Sequence, residues 1–124
     1  MPKNKPSLYE EIGEHCIRSV ICEFYARAFR DGIIGHFFMH SDQSTITQKQ
    51  IHFSISLLGG PTKYTGKSLR DAHLPFSIRK PHFDRRQVLM QEVLNDFGVE
   101  PQLAKQWLEL ESQLQSIIVN TVNA

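Results

Sequence analysis

An all-α domain of four main helices plus short pieces is what the sequence predicts, on three features. Apolar residues recur every three or four positions over long stretches, no useful run alternates apolar with polar residues, and glycine, proline and Ser/Asp punctuation cuts the chain into helix-length segments. With 124 residues the chain has room for one core, so positions 1–124 read as a single domain, with 1–7 as a flexible N-terminal extension. A content of 40% hydrophobic and 22% charged residues supports burial of that core and argues against disorder.

The first helix is expected from Leu8 to Phe29, where Ile17, Val20, Ile21, Phe24, Tyr25 and Phe29 keep one helical face. Asp31-Gly32 stops it, and a short piece through Ile34, Phe37 and Phe38 follows. Ser41-Asp42 offers side-chain oxygens to open a second helix, which lasts until Gly59-Gly60-Pro61; Ile46, Gln50, Phe53 and Leu57 form its expected inward stripe. Residues 59–67 read as a loop, and 68–73 as at most a short helix before Pro75. A further helix spans about Pro81 to Phe97 with Gly98 as its stop. The last starts at Pro101, where a first turn tolerates proline, with Leu103, Trp107, Leu110, Leu114 and Ile117 as one continuous stripe.

Charge and motif content remove several functions. Lys and Arg number 14 against 13 Asp and Glu, so no chain-wide positive field is available for nucleic acid or an anionic membrane. No apolar run is long enough to span a bilayer, and the segment Met1-Pro2-Lys3-Asn4-Lys5-Pro6 has no secretory character, which makes a cytoplasmic location the expectation. Cys16 and Cys22 lie on divergent faces of one expected helix, so neither a disulfide nor a zinc site follows from them. The histidines at 15, 36, 40, 52, 73 and 82 form no metal-ligand spacing, and no nucleophile elbow, phosphate loop or dinucleotide fingerprint occurs.

What stands out instead is polarity on apolar faces. Gln50 falls on the inward stripe of its helix and Tyr25 on that of the first, and a buried amide or phenol needs a partner. The plainer account is that Gln50 finds a backbone or water partner or sits at the stripe's edge, and that Tyr25 simply packs. The alternative is a pocket with a few inward polar groups.

Taken in order, Leu8-Tyr9-Glu10-Glu11-Ile12-Gly13, Phe24-Tyr25, Phe37-Phe38, the Gln50 helix, Leu58-Gly59-Gly60-Pro61, Tyr64-Thr65-Gly66, Ala72-His73, His82-Phe83 and Phe97-Gly98-Val99 resemble the truncated haemoglobins, most closely their group I. The resemblance covers nearly the whole chain and implies the truncated globin fold, a two-over-two helical sandwich around haem b. It implies His73 as the proximal iron ligand, and Tyr25 and Gln50 as distal donors that stabilise bound O2 by charge-assisted hydrogen bonds. Ile46 would hold the first distal helix position, Phe38 would pack on the haem face, Phe53 and Phe83 would add apolar contacts, and Lys49 would meet a propionate at the rim.

Three places depart from the family pattern. Gly13-Glu14 stands where relatives have Gly-Gly; Ser54 stands where many carry a second bulky residue at a gas tunnel; and Asp84-Arg85-Arg86 stands where relatives place apolar or aromatic residues near the haem. Arg86 faces either the pocket and the propionates or solvent. Leu74-Pro75-Phe76, after the proximal histidine, resembles group II instead. The implied function is reversible binding of O2, NO and CO by a monomer with a five-coordinate iron. Turnover of NO to nitrate would draw on an external reductase, since no flavin or nicotinamide module is visible. A non-enzymatic gas sensor, store or carrier is the alternative, and a haem-free helical interaction module the third.

Overall fold

The computed structural model describes residues 5–73 and 75–119; Leu74, part of the group II-like segment, and residues 1–4 of the expected extension lie outside them. Ser7 opens α1 (Leu8–Ile12) with a reciprocal cap: its hydroxyl accepts from the Glu10 N–H and its own N–H donates to Glu10 Oε1 at 2.9 Å. The expected single helix from Leu8 to Phe29 is in fact two. Gly13, at φ 90°, closes α1 by donating to the Tyr9 carbonyl, and α2 (Glu14–Ala28) starts from the same residue. Only glycine takes that backbone angle at little cost, and apolar periodicity carries no trace of it.

On α2 the expected face is buried at Ile17, Val20, Ile21, Phe24, Tyr25 and Ala28, while Phe29 sits past the helix end and stacks on Phe38. A 3₁₀ turn (Gly35–Phe38) carries Phe37 and Phe38. Asp42 then caps α3 (Gln43–Leu57) by accepting from the Thr45 N–H at 2.8 Å.

The inward stripe expected on α3 needs correction. The side packed in the core is Thr47, Ile51, Ser54 and Ile55, continued by Leu58, and it faces α2. Ile46, Gln50 and Phe53 lie on the neighbouring face, which borders a cavity, and Leu57 is only half-buried and lies off that cavity. A helix with two faces to cover shows two overlapping three-four patterns, and the more hydrophobic one is not always the core.

The turn after α3 folds back on α1 through Tyr9 N–H to the Leu58 carbonyl at 2.9 Å. A Cβ on Gly60 would lie 2.4 Å from Ile55 Cγ2, so this approach excludes any side chain. Ser68 caps the short α4 (Leu69–His73), and α5 (Lys80–Asp96) runs to the Gly98 stop. The stripe expected to run unbroken down the last helix is interrupted. α6 (Pro101–Ser112) ends in a turn at Gln113–Leu114, a separate α7 (Gln115–Ile118) follows, and Ile117 is 45% exposed.

Two pairs make the sandwich: α2 packs on α3, α5 on α6, and α2 joins the pairs by crossing α5. Trp107, Phe24, Met90 and Leu94 fill the centre with essentially no exposure. At about 25 cal/mol per Å² of apolar surface removed from water, such side chains are the main source of stability. The short α4 packs on α7, which sets it apart from the two pairs. No strand occurs among the described residues, and no helix among them is long and apolar enough to cross a membrane.

Candidate functional site

The sandwich is not closed between α2, α3, α4 and α5. A cavity of about 490 Å³ lies there, and every residue singled out from the sequence as a site residue lines it: Tyr25, Phe38, Ile46, Lys49, Gln50, Phe53, His73 and Phe83. They come from five separate elements, so only the fold brings them together.

Tyr25 arrives from α2 with a ring only 7% exposed, held edge-on between Phe24 at 5.0 Å and Phe38 at 5.8 Å. Its hydroxyl bonds to no described residue. Burial pushes its pKa up to about 12, so at neutral pH it is a phenol able to donate. Gln50 reaches the same space from α3 with its amide unbonded within the described residues.

His73 closes α4. Its Nδ1 lies 2.6 Å from the Leu69 carbonyl oxygen one turn back. A carbonyl only accepts, so Nδ1 carries the proton and the lone pair resides on Nε2. Burial, ahead of the opposing bond to Leu69, holds the imidazole below its ordinary pKa and so keeps it neutral. A neutral imidazole with a tethered Nδ1 has the form of a metal-ligating histidine.

The remaining walls are mainly apolar, with Ser41, Asp42, Thr45 and Tyr64 among the polar exceptions. Phe37, Phe38, Phe53 and Phe83 provide rings, Ile34, Ile46 and Ile78 provide branched aliphatics, and Lys49 and Lys67 are exposed at the edge. A flat, mostly apolar group carrying a Lewis-acid centre and peripheral carboxylates matches this lining: rings for its faces, ammonium groups for its acids, and the His73 imidazole for its metal, with His82 as a second imidazole whose Nδ1 accepts the Arg79 N–H. The residues therefore fit haem. Neither cysteine borders the cavity, both thiols are free as expected, and the described residues hold no cluster of three His, Cys, Asp or Glu side chains.

The choice left open for Arg86 is resolved toward the cavity, where it meets a partner that sequence reasoning missed. Glu111 on α6 is buried and takes a forked contact from the guanidinium, Nη1 to Oε1 at 2.6 Å and Nη2 to Oε2 at 3.1 Å. The available signal was a carboxylate four residues after Trp107, on the same inward phase of α6. Ser54, where a tunnel residue was in question, is fully buried on the α2 side of α3 and does not border the cavity.

Comparison with known proteins agrees with this fold. The family model described as bacterial-like globin matches residues 7–120. A group 1 truncated haemoglobin of Tetrahymena pyriformis is 34% identical over 98 residues, which cover 77% of this chain and 81% of that one. The crystal structure of the Tetrahymena pyriformis truncated haemoglobin in its Fe(III) form superposes with a TM-score of 0.88 at 26% identity, covering 92% of this chain and 98% of that one. The group II truncated haemoglobin of Bacillus anthracis gives 0.86 at 28% identity, with 98% and 97% covered.

Proposed function

We propose, because this chain belongs to the bacterial-like globin family and within it to the group I truncated haemoglobins, haem-based binders of gases, that its cavity holds haem b on His73 and binds O2 reversibly between Tyr25 and Gln50. The observation that carries this is one cavity containing both a neutral imidazole with its lone pair on Nε2 and two unbonded polar groups from other helices.

A bound haem would supply an iron able to take an imidazole nitrogen and a diatomic gas. His73 Nε2 would hold that metal, while the Leu69 carbonyl keeps Nδ1–H and fixes the ring's orientation. The Tyr25 hydroxyl and the Gln50 amide N–H donate to the gas. Such bonds strengthen with negative charge on the acceptor, so O2, which draws electron density from the metal, gains more than CO. Phe38, Ile46, Phe53 and Phe83 keep water from the space, and Lys49 pairs with a propionate at the rim.

The protein is further assigned as a cytoplasmic monomer that takes O2, NO and CO. NO detoxification to nitrate, if it turns over, draws electrons from an external reductase; otherwise the protein serves as a gas store, carrier or sensor. The test is reconstitution with haem. A Soret band, an oxygenated ferrous spectrum and their loss in His73→Gly are expected, and wild-type spectra in that variant overturn the ligand assignment. Nitrate formed from NO in the presence of a reducing system separates turnover from carriage.

A further inference from the structure

At the floor of the cavity lies a charged pair that gas binding through Tyr25 and Gln50 does not use. The Arg86 and Glu111 side chains are 18% and 5% exposed, and their forked contact is held from behind by Trp107, whose indole Nε1–H donates to Glu111 Oε2 at 3.0 Å. The guanidinium lies 4.8 Å from the centre of the Phe24 ring and also donates to Gln87. Five donors and a planar fork make arginine suited to this fixed geometry.

The pair is oriented. Arg86 borders the 490 Å³ cavity and Glu111 does not; both reach a smaller space of about 50 Å³ that also touches Tyr25, Gln50 and His73. The positive end therefore reaches the cavity, and the negative end stops at the smaller space beside it. Tyr25 feels both charges, that of Arg86 ahead of that of Glu111, and His73 feels that of Arg86. A buried ion pair adds little net stability over an apolar pair of the same volume, so stability does not explain it.

We propose that the Arg86–Glu111 pair makes this cavity discriminate ligands by charge, favouring small monoanions of the azide and fluoride type over neutral diatomics of similar size. The inference rests on haem occupying the cavity. A fixed dipole in a poorly screened site acts on a ligand's charge and leaves a neutral ligand almost untouched, whereas hydrogen bonds from Tyr25 and Gln50 act on both.

The experiment uses the haem-loaded protein. Azide affinity of the ferric form and CO affinity of the ferrous form are compared between wild type, the double variant Arg86→Met with Glu111→Met, and Glu111→Gln. The double variant leaves no buried charge unpaired, and its retention of haem is checked first; its azide affinity is expected to fall about tenfold with CO within about twofold. Glu111→Gln, with the guanidinium no longer neutralised, is expected to move azide affinity upward. Unchanged azide affinity in the double variant, a parallel loss of azide and CO, or weaker azide binding in Glu111→Gln overturns the proposal. Wild-type protein without a Soret band after haem addition instead overturns the haem assignment beneath it.

Discussion

His73 and Leu69 are joined within one turn of α4 by a 2.6 Å hydrogen bond from the imidazole Nδ1–H to the backbone carbonyl. The bond selects the tautomer and the ring plane together, although α4 has only five residues and packs on α7 instead of the main core. As the proposed ligand on so short a helix, His73 would depend on that tether for its orientation.

Replacing His73 by glycine therefore removes the proposed iron donor while leaving the apolar walls in place. Loss of an orienting partner alone weakens metal sites by about 10–100-fold, and loss of the ligand itself is expected to exceed that in haem retention. Added imidazole should restore the wild-type Soret position, because the vacated space matches the ring. Haem transfer to an apo-globin acceptor, timed by absorbance, checks both.

Tyr25→Phe deletes one donor and keeps the ring contacts to Phe24 and Phe38. A hydrogen bond to a charged acceptor contributes about 1.5–3 kcal/mol, so O2 dissociation should speed up by about 10–150-fold, with a much smaller change for CO. Gln50→Leu should act in the same direction. Stopped-flow displacement of O2 by CO reads these rates, and equal effects on both gases would show that the phenol shapes the cavity without stabilising charge.

How far the sequence reveals such a site depends on the range of the interaction. Tyr25 is legible because its neighbours at three- and four-residue steps fix which way it points, and Gln50 because an amide interrupts an apolar pattern. The stripe through Ile46, Gln50, Phe53 and Leu57 has the right period and the wrong destination, since periodicity finds a face without saying whether core or cavity lies against it. The split at Gly13 depends on a backbone angle. Arg86 and Glu111 meet across 25 positions, and only the packing of α5 on α6 makes them partners.

Gly60 supplies a steric prediction. A Cβ there would lie 2.4 Å from Ile55 Cγ2 and 2.8 Å from the Ile55 carbonyl oxygen, and the second atom belongs to backbone that cannot rotate away. Gly60→Ala is expected to cost about 1–3 kcal/mol, the range for overpacking. The same turn seats α1 through Tyr9 and Leu58, so thermal melting should show a lower Tm with the Soret band of the folded protein little changed.

Asp31 supplies the pH prediction. It follows α2, and its Oδ1 accepts from Arg85 Nε at 3.0 Å and Nη2 at 2.7 Å, while Oδ2 accepts the N–H groups of Ile33 and Ile34 at 3.0 and 3.1 Å. The Arg85 guanidinium first, and those two amides against the opposing effect of burial, hold the Asp31 carboxyl below its ordinary value. A carboxyl that binds its proton less readily folded than unfolded stabilises the fold above the unfolded pKa, about 3.9, and loses that contribution as pH falls through the lower folded value. Ile34 borders the cavity, so the contact also fixes one of its walls. Asp31→Asn should lower Tm by several degrees at pH 7 and flatten its dependence on pH below about 4. Melting curves recorded from pH 7 downward measure both, and a variant as acid-sensitive as the wild type would assign that sensitivity to other carboxylates.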